Sequence, residues 1–113
     1  MSDVITLTEG NFQHEVLDSE LPVLVDYWAP WCGPCRLVGP AVEAIAQQHA
    51  GRLKVGKVNV DDEVALAQEA GVLSIPYLVL YRDGTPAAKV AGALPKPVLE
   101  RALGLDSDHA EVA

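Results

Sequence analysis

The sequence predicts an α/β domain, a mixed central β-sheet flanked by helices on both faces, in the order βαβαβαββα. Three observations carry that expectation. The runs Val23 to Ala29 and Tyr77 to Tyr81 are apolar on both sides, as strands covered from above and below must be. Segments with apolar residues at helical spacing alternate with strand-like runs. Asp83-Gly84, just after the second run, is a two-residue hairpin signal, so the strand that follows returns antiparallel.

Taken in order, Asp3 to Leu7 reads as the first strand. Glu9 to Leu17 reads as a helix with Thr8 as its cap and Phe12, Val16 and Leu17 as its apolar stripe. In Val23 to Ala29, Val23, Val25 and Tyr27 point one way and Leu24 and Trp28 the other, with Asp26 as the single polar interruption. From Pro34 to about His49 a helix presents Leu37, Val38, Ala41, Val42 and Ile45. Pro34 suits its first turn, where a missing N–H costs nothing, while Pro40 should kink it and Gly51 end it. Leu53 to Val60 is the next strand, and Asp61 or Asp62 then caps a helix running to Ala70 and closed by Gly71. Beyond the hairpin, Ala87 to Ala91 has the marks of an edge strand, with Pro86 before it and Lys89 within it. Pro95 to Leu103 forms the last helix, with Val98, Leu99 and Leu103 inward and Gly104 as its stop. Residues 1–105 then make one domain, and 106–113 a short acidic tail expected to fray.

Composition narrows the function. Half of the 113 residues are hydrophobic and 21% are charged, a globular balance. No apolar run approaches the roughly 20 residues that a membrane helix needs. The amino end has neither a basic start nor a long apolar segment, which points to a cytoplasmic protein. Net charge is −8, and the eight basic residues are scattered, so no patch is able to neutralise a phosphate backbone and nucleic acid is not an expected partner. Two cysteines are too few for a disulfide-stapled scaffold.

Those two cysteines lie three residues apart in Trp31-Cys32-Gly33-Pro34-Cys35. If a helix opens there, the pair shares one face with Cβ atoms roughly 5–6 Å apart, close enough to open and close a disulfide with little backbone movement. Such a bridge restrains almost no chain, so switching between thiol and disulfide is a better reason for it than stability. Cys32 would sit just before the first helical turn, where unpaired N–H groups and the helix dipole favour an anion, and so becomes the attacking thiolate. Cys35, one turn deeper, suits a resolving role. Gly33 lets a substrate backbone approach, and Pro34 stiffens the turn. Two other readings compete: half of a zinc site, for which a second Cys pair and suitably spaced histidines are missing, and two inert buried thiols.

Asp26, six residues before Cys32, has apolar neighbours, and burial there raises a carboxyl pKa toward neutrality. The competing reading places it at a strand end facing water. Lys57, which alternates with Leu53 and Val55, is either its partner or an ordinary solvated lysine. Ile75-Pro76 precedes a central strand, where proline belongs at the first residue or in a turn. Trp28 reads as core. Trp31 reads either as packing or as part of an apolar docking rim.

The run Val25-Asp26-Tyr27-Trp28-Ala29-Pro30-Trp31-Cys32-Gly33-Pro34-Cys35-Arg36 resembles the active-site segment of the thioredoxin family. The resemblance continues through Pro40, Lys57-Val58-Asn59-Val60-Asp61, Ile75-Pro76 and Asp83-Gly84 to Gly92, and covers about residues 3–105. It implies the thioredoxin fold and a general protein-disulfide reductase, with Cys32 as nucleophile, Cys35 as resolving thiol and Asp26 as buried acid/base with Lys57 nearby. It implies further that Pro76 is a cis-proline facing the disulfide, and that Trp31, Gly33, Pro34, Ile75, Gly92 and Ala93 form a surface for substrates and for a thioredoxin reductase. That reductase draws on NADPH, and the domain itself, a monomer in the simplest expectation, needs no metal and no bound cofactor. Leu73 departs from the charged residue frequent at its place, and Tyr77 from the usual threonine; both lie near the docking surface, so the resemblance leaves client range and reductase affinity open while the basic chemistry stands. Two rival functions remain at this stage: an oxidant or isomerase, which Gly33-Pro34 disfavours, and a binding module whose redox chemistry is incidental.

Overall fold

A computed structural model describes residues 3–106. Five strands form one mixed sheet in the order β1-β3-β2-β4-β5, comprising β1 Val4–Thr6, β2 Val23–Trp28, β3 Lys54–Asn59, β4 Tyr77–Arg82 and β5 Thr85–Ala91. β3 runs parallel to β1 and β2, whereas β4 runs antiparallel to β2 and β5. The helices are α1 Gly33–Gln48, α2 Val64–Glu69 and α3 Lys96–Leu103.

Alternation along β2 sorts the core into two layers. Leu24 joins Val38, Val42 and Ile45 of α1 and Leu99 and Leu103 of α3 on one face. Val23, Val25 and Tyr27 join Phe12, Val16 and Leu66 on the other. A strand covered on both sides is the arrangement its unbroken apolar run demands. At the hairpin, Asp83 and Gly84 both take positive φ (53° and 79°), the conformation of a two-residue turn whose twist matches its strands. A Cβ on Gly84 would lie 2.7 Å from the Leu17 carbonyl oxygen, so the turn also needs glycine for space.

Several local expectations are corrected. The first helix is short: after a turn at 9–11 the chain makes a π-helical segment, Gln13–Leu17, closed by the Asp18 N–H donating to the Gln13 carbonyl at 2.9 Å. Thr8 still caps the turn, its hydroxyl accepting from the Asn11 N–H at 3.3 Å while the Asn11 side chain accepts from the Thr8 N–H at 2.8 Å. Lys54 ties this segment to β3 by donating to the Glu15 carbonyl at 2.6 Å and pairing with its carboxylate at 2.8 Å. Neither Asp61 nor Asp62 caps α2, whose cap position is Glu63, and the Glu63 side chain does not cap it either: it accepts from the Glu9 N–H at 2.8 Å instead. Leu37 and Val98 point to solvent, Leu37 at 76% exposure, and Ala41 is only half-buried. α1 runs on through Pro40, which leaves the Arg36 carbonyl without its helical donor. β4 and β5 extend past their expected ends, so Pro86 lies inside β5, beside an irregularity in its register with β4. Gly104 stops α3 with φ 75°, as expected. The acidic tail beyond residue 106 lies outside the described residues.

Candidate active site

β2 leads directly into the site. Its last residues are followed by Ala29, whose carbonyl accepts from the Cys32 N–H at 3.1 Å, a tight turn that sets Cys32 at the start of α1. Cys32 is the helix N-cap, with extended backbone (φ −90°, ψ 107°), and its Sγ accepts from the Cys35 N–H at 3.2 Å. A sulfur here stands where oxygen caps usually stand, against a backbone donor that the helix cannot satisfy internally. Pro34 falls in the first turn, where no donor is required.

Cys32 and Cys35 are joined by a disulfide with Cα atoms 5.3 Å apart, inside the range such a bridge needs. Both are 5% exposed, and they form a small cluster with Ala29 against which Trp28, Val60 and Ile75 pack. The Ile75–Pro76 bond is cis, and Pro76 is buried. Its carbonyl accepts from the Gly92 N–H at 2.9 Å, tying the segment to the end of β5. Gly33, Pro34 and Ala93 are exposed.

Asp26 is 1% exposed on the sheet face it shares with Leu24 and Trp28. Neither carboxylate oxygen has a hydrogen-bond partner among the described residues. Burial pushes its pKa up to about 6, and the charge of Lys57 pulls less strongly the other way. Lys57 stands opposite Asp26 in the β2–β3 register, and its ammonium sits 4.9 Å from the centre of the Trp28 ring. The reading that put Asp26 in water is therefore excluded, and Lys57 acts on it through charge rather than a hydrogen bond.

Trp31 resolves as surface: it is 68% exposed, and its indole N–H donates to Asp61 at 2.8 Å. Sequence reasoning gave Asp61 to a helix cap and missed this bond. The signal was available in the parallel pairing, because β3 ends beside Trp28 and delivers the following residues next to the loop after β2. The Val60 N–H in fact donates to the Trp28 carbonyl at 2.9 Å. Arg36 secures the loop from the other side by donating to the Pro30 carbonyl at 2.8 Å.

Two cysteines that close a ring at a helix terminus, over a mixed sheet, make a reversible dithiol–disulfide couple. The class this defines is the protein-disulfide oxidoreductases. The family model described as Thioredoxin matches residues 3–104. Thioredoxin 1 of Nostoc sp. is 50% identical over 103 residues, 91% of this chain and 96% of its own length. Thioredoxin 1 of Synechococcus elongatus is 48% identical over the same shares, and a thioredoxin of Porphyra purpurea 48% over 88% of this chain and 94% of its own. The chain belongs to the thioredoxin family. Its function is dithiol–disulfide exchange through the Cys32–Cys35 couple, and the partners of that family are proteins carrying disulfides.

Proposed function

We propose that this protein is a general protein-disulfide reductase in which Cys32 attacks and Cys35 resolves. The observation that carries the reading is the placement of Cys32 Sγ as the cap of α1, bonded to the Cys35 N–H, with the unpaired carboxyl of Asp26 buried on the same face of the sheet as Trp28, which packs against the pair. In the reduced protein the Cys32 thiolate attacks a client disulfide, forms a mixed disulfide and releases one client thiolate. Asp26, directly or through water, takes the proton from Cys35. The Cys35 thiolate then attacks the Cys32 sulfur, closes the intramolecular bridge and releases the second client thiolate, so two electrons pass to the client. Lys57 tempers the charge on Asp26 during that transfer. Trp31, Gly33, Pro34, Ile75, Pro76, Gly92 and Ala93 form the surface on which clients dock. The exposure of Trp31, Gly33, Pro34 and Ala93 around the disulfide supports this.

A thioredoxin reductase supplied by NADPH regenerates the dithiol. The protein works as a cytoplasmic monomer of one domain, residues 1–105, with a short tail. Dithiothreitol-driven reduction of insulin tests the activity: the wild type accelerates it, and Cys32→Ser abolishes the acceleration. Cys35→Ser accumulates a mixed disulfide with the client on a non-reducing gel. Unchanged turnover in Cys32→Ser, or no trapped species in Cys35→Ser, contradicts the assigned roles. A complex with clients that forms equally well after both cysteines become serine would favour a binding module instead.

A further inference from the structure

The two faces of the sheet are covered unequally. α1, with 16 residues, and α3, with 8, lie over the layer of Leu24. The layer of Tyr27 is covered only by the 5-residue segment Gln13–Leu17 and the 6-residue α2. Pieces this short leave the β4–β5 side of that face open, and a cavity of about 260 Å³ remains there. None of its lining residues belongs to the client surface proposed above. Phe12, Tyr27, Leu66, Val79 and Tyr81 form its inner wall, all of them buried. The hydroxyls of Tyr27 and Tyr81 bond each other at 2.9 Å, so the buried part of an occupant needs no polar group. The rings of Phe12 and Tyr81 stand edge to face at 5.8 Å, an arrangement that a further ring can extend.

The rim carries charges of both signs. Glu69 ends α2, and Lys89 stands in β5 opposite Val79, hence on the same sheet face. Both are exposed, both line the cavity, and neither is in an ion pair among the described residues. Burial, and with it the charge of Glu69, raises the pKa of both tyrosine hydroxyls, so that carboxylate lies close to the aromatic wall. A lysine on an edge strand also discourages further strand pairing, but that role calls for no carboxylate at the same cavity. We propose that the cavity binds a free apolar α-amino acid, an aromatic one above all. The ring packs on Phe12 and Tyr81, the ammonium meets Glu69 and the carboxylate meets Lys89. A compact zwitterion suits the size, which falls below the roughly 300–1,000 Å³ of drug-sized sites. It also suits the charge: an anion alone would face Glu69, and a cation alone would face Lys89.

The test titrates L-phenylalanine into the isotope-labelled, oxidised protein and follows the backbone amide resonances. Saturable shifts are expected at Glu69, Ala70, Gly84 and Lys89, with a Kd on the order of 1 mM. Phenylpropionate, which lacks the ammonium, and phenethylamine, which lacks the carboxylate, are each expected to bind about fivefold more weakly. Glu69→Gln should erase the advantage of phenylalanine over phenylpropionate, and Lys89→Gln its advantage over phenethylamine. Both side chains are exposed, so neither change threatens the fold. No saturable shift at those amides, equal binding of the three probes, or an advantage that survives in either variant overturns the proposal. Shifts confined to Trp31, Cys32 and Ile75 overturn it too, because they place the ring beside the disulfide instead.

Discussion

Asp26 and Tyr27 are consecutive on β2, and both are buried, but their side chains enter opposite faces of the sheet. Tyr27 packs with Phe12, Val16 and Val79, and its hydroxyl is bonded to that of Tyr81 at 2.9 Å. Burial raises its pKa, so the hydroxyl stays neutral and hydrogen-bonded. Asp26 shares its face with Trp28 and has no such partner among the described residues. A polar group buried with a partner adds to stability, and one buried without a partner subtracts from it. The two positions therefore separate a buried polar group that serves the fold from one that the proposed exchange would use.

The largest effect expected from breaking this comparison is at Tyr27. Tyr27→Ala removes a fully buried ring and strands the Tyr81 hydroxyl, and should lower the unfolding free energy by about 3–5 kcal/mol in urea titrations. A loss below about 1 kcal/mol would contradict its structural role.

Asp26 should act in the opposite direction. Its folded pKa of about 6 lies above the ordinary value of 3.8, so between those pH values the folded protein binds more protons than the unfolded chain. Stability contributed by the neutral acid is complete below about pH 3.8 and is lost as pH rises through about 6. The loss amounts to about 3 kcal/mol. Asp26→Asn should erase this slope in unfolding curves taken from pH 4 to 7, and an undiminished slope would assign it to other groups.

Smaller still is the tyrosine pair. Tyr27→Phe or Tyr81→Phe alone should each cost about 1 kcal/mol, because each leaves one buried hydroxyl unmatched. The double variant should cost less than the sum, and strict additivity would show that the 2.9 Å contact carries no coupling. Leu37→Ser, on an exposed turn of α1, should stay within about 0.5 kcal/mol of wild type.

What was legible in the sequence follows from which signals are local. The alternation in β2 assigned Leu24 and Tyr27 to different layers, and the structure places them there, because a strand's period of two needs no tertiary information. Gly104 and the Asp83-Gly84 turn were legible for the same reason: positive φ is a property of single residues. The burial of Asp26 was inferred from its neighbours alone. Leu37 misled because its helical spacing fits the apolar stripe, yet only the docking of α1 on the sheet decides which edge of the stripe is covered. The Trp31–Asp61 bond spans 30 residues and arises from the parallel pairing of β2 and β3, which no local pattern reveals. The tie between the π-helical segment Gln13–Leu17 and β3, Lys54 to Glu15, likewise spans 39 residues and has no local signature.

The proposed exchange requires the sulfur of Cys32 to be the reactive one, because it caps α1. The rate of alkylation of the fully reduced protein by iodoacetamide, followed against pH with mass-spectrometric localisation, measures this directly. The expected result is modification of Cys32 well ahead of Cys35, with a half-maximal rate below the pH of about 8.5 at which free cysteine is half-ionised. Equal or faster reaction at Cys35, or a half-maximal rate at or above that of free cysteine, would contradict it.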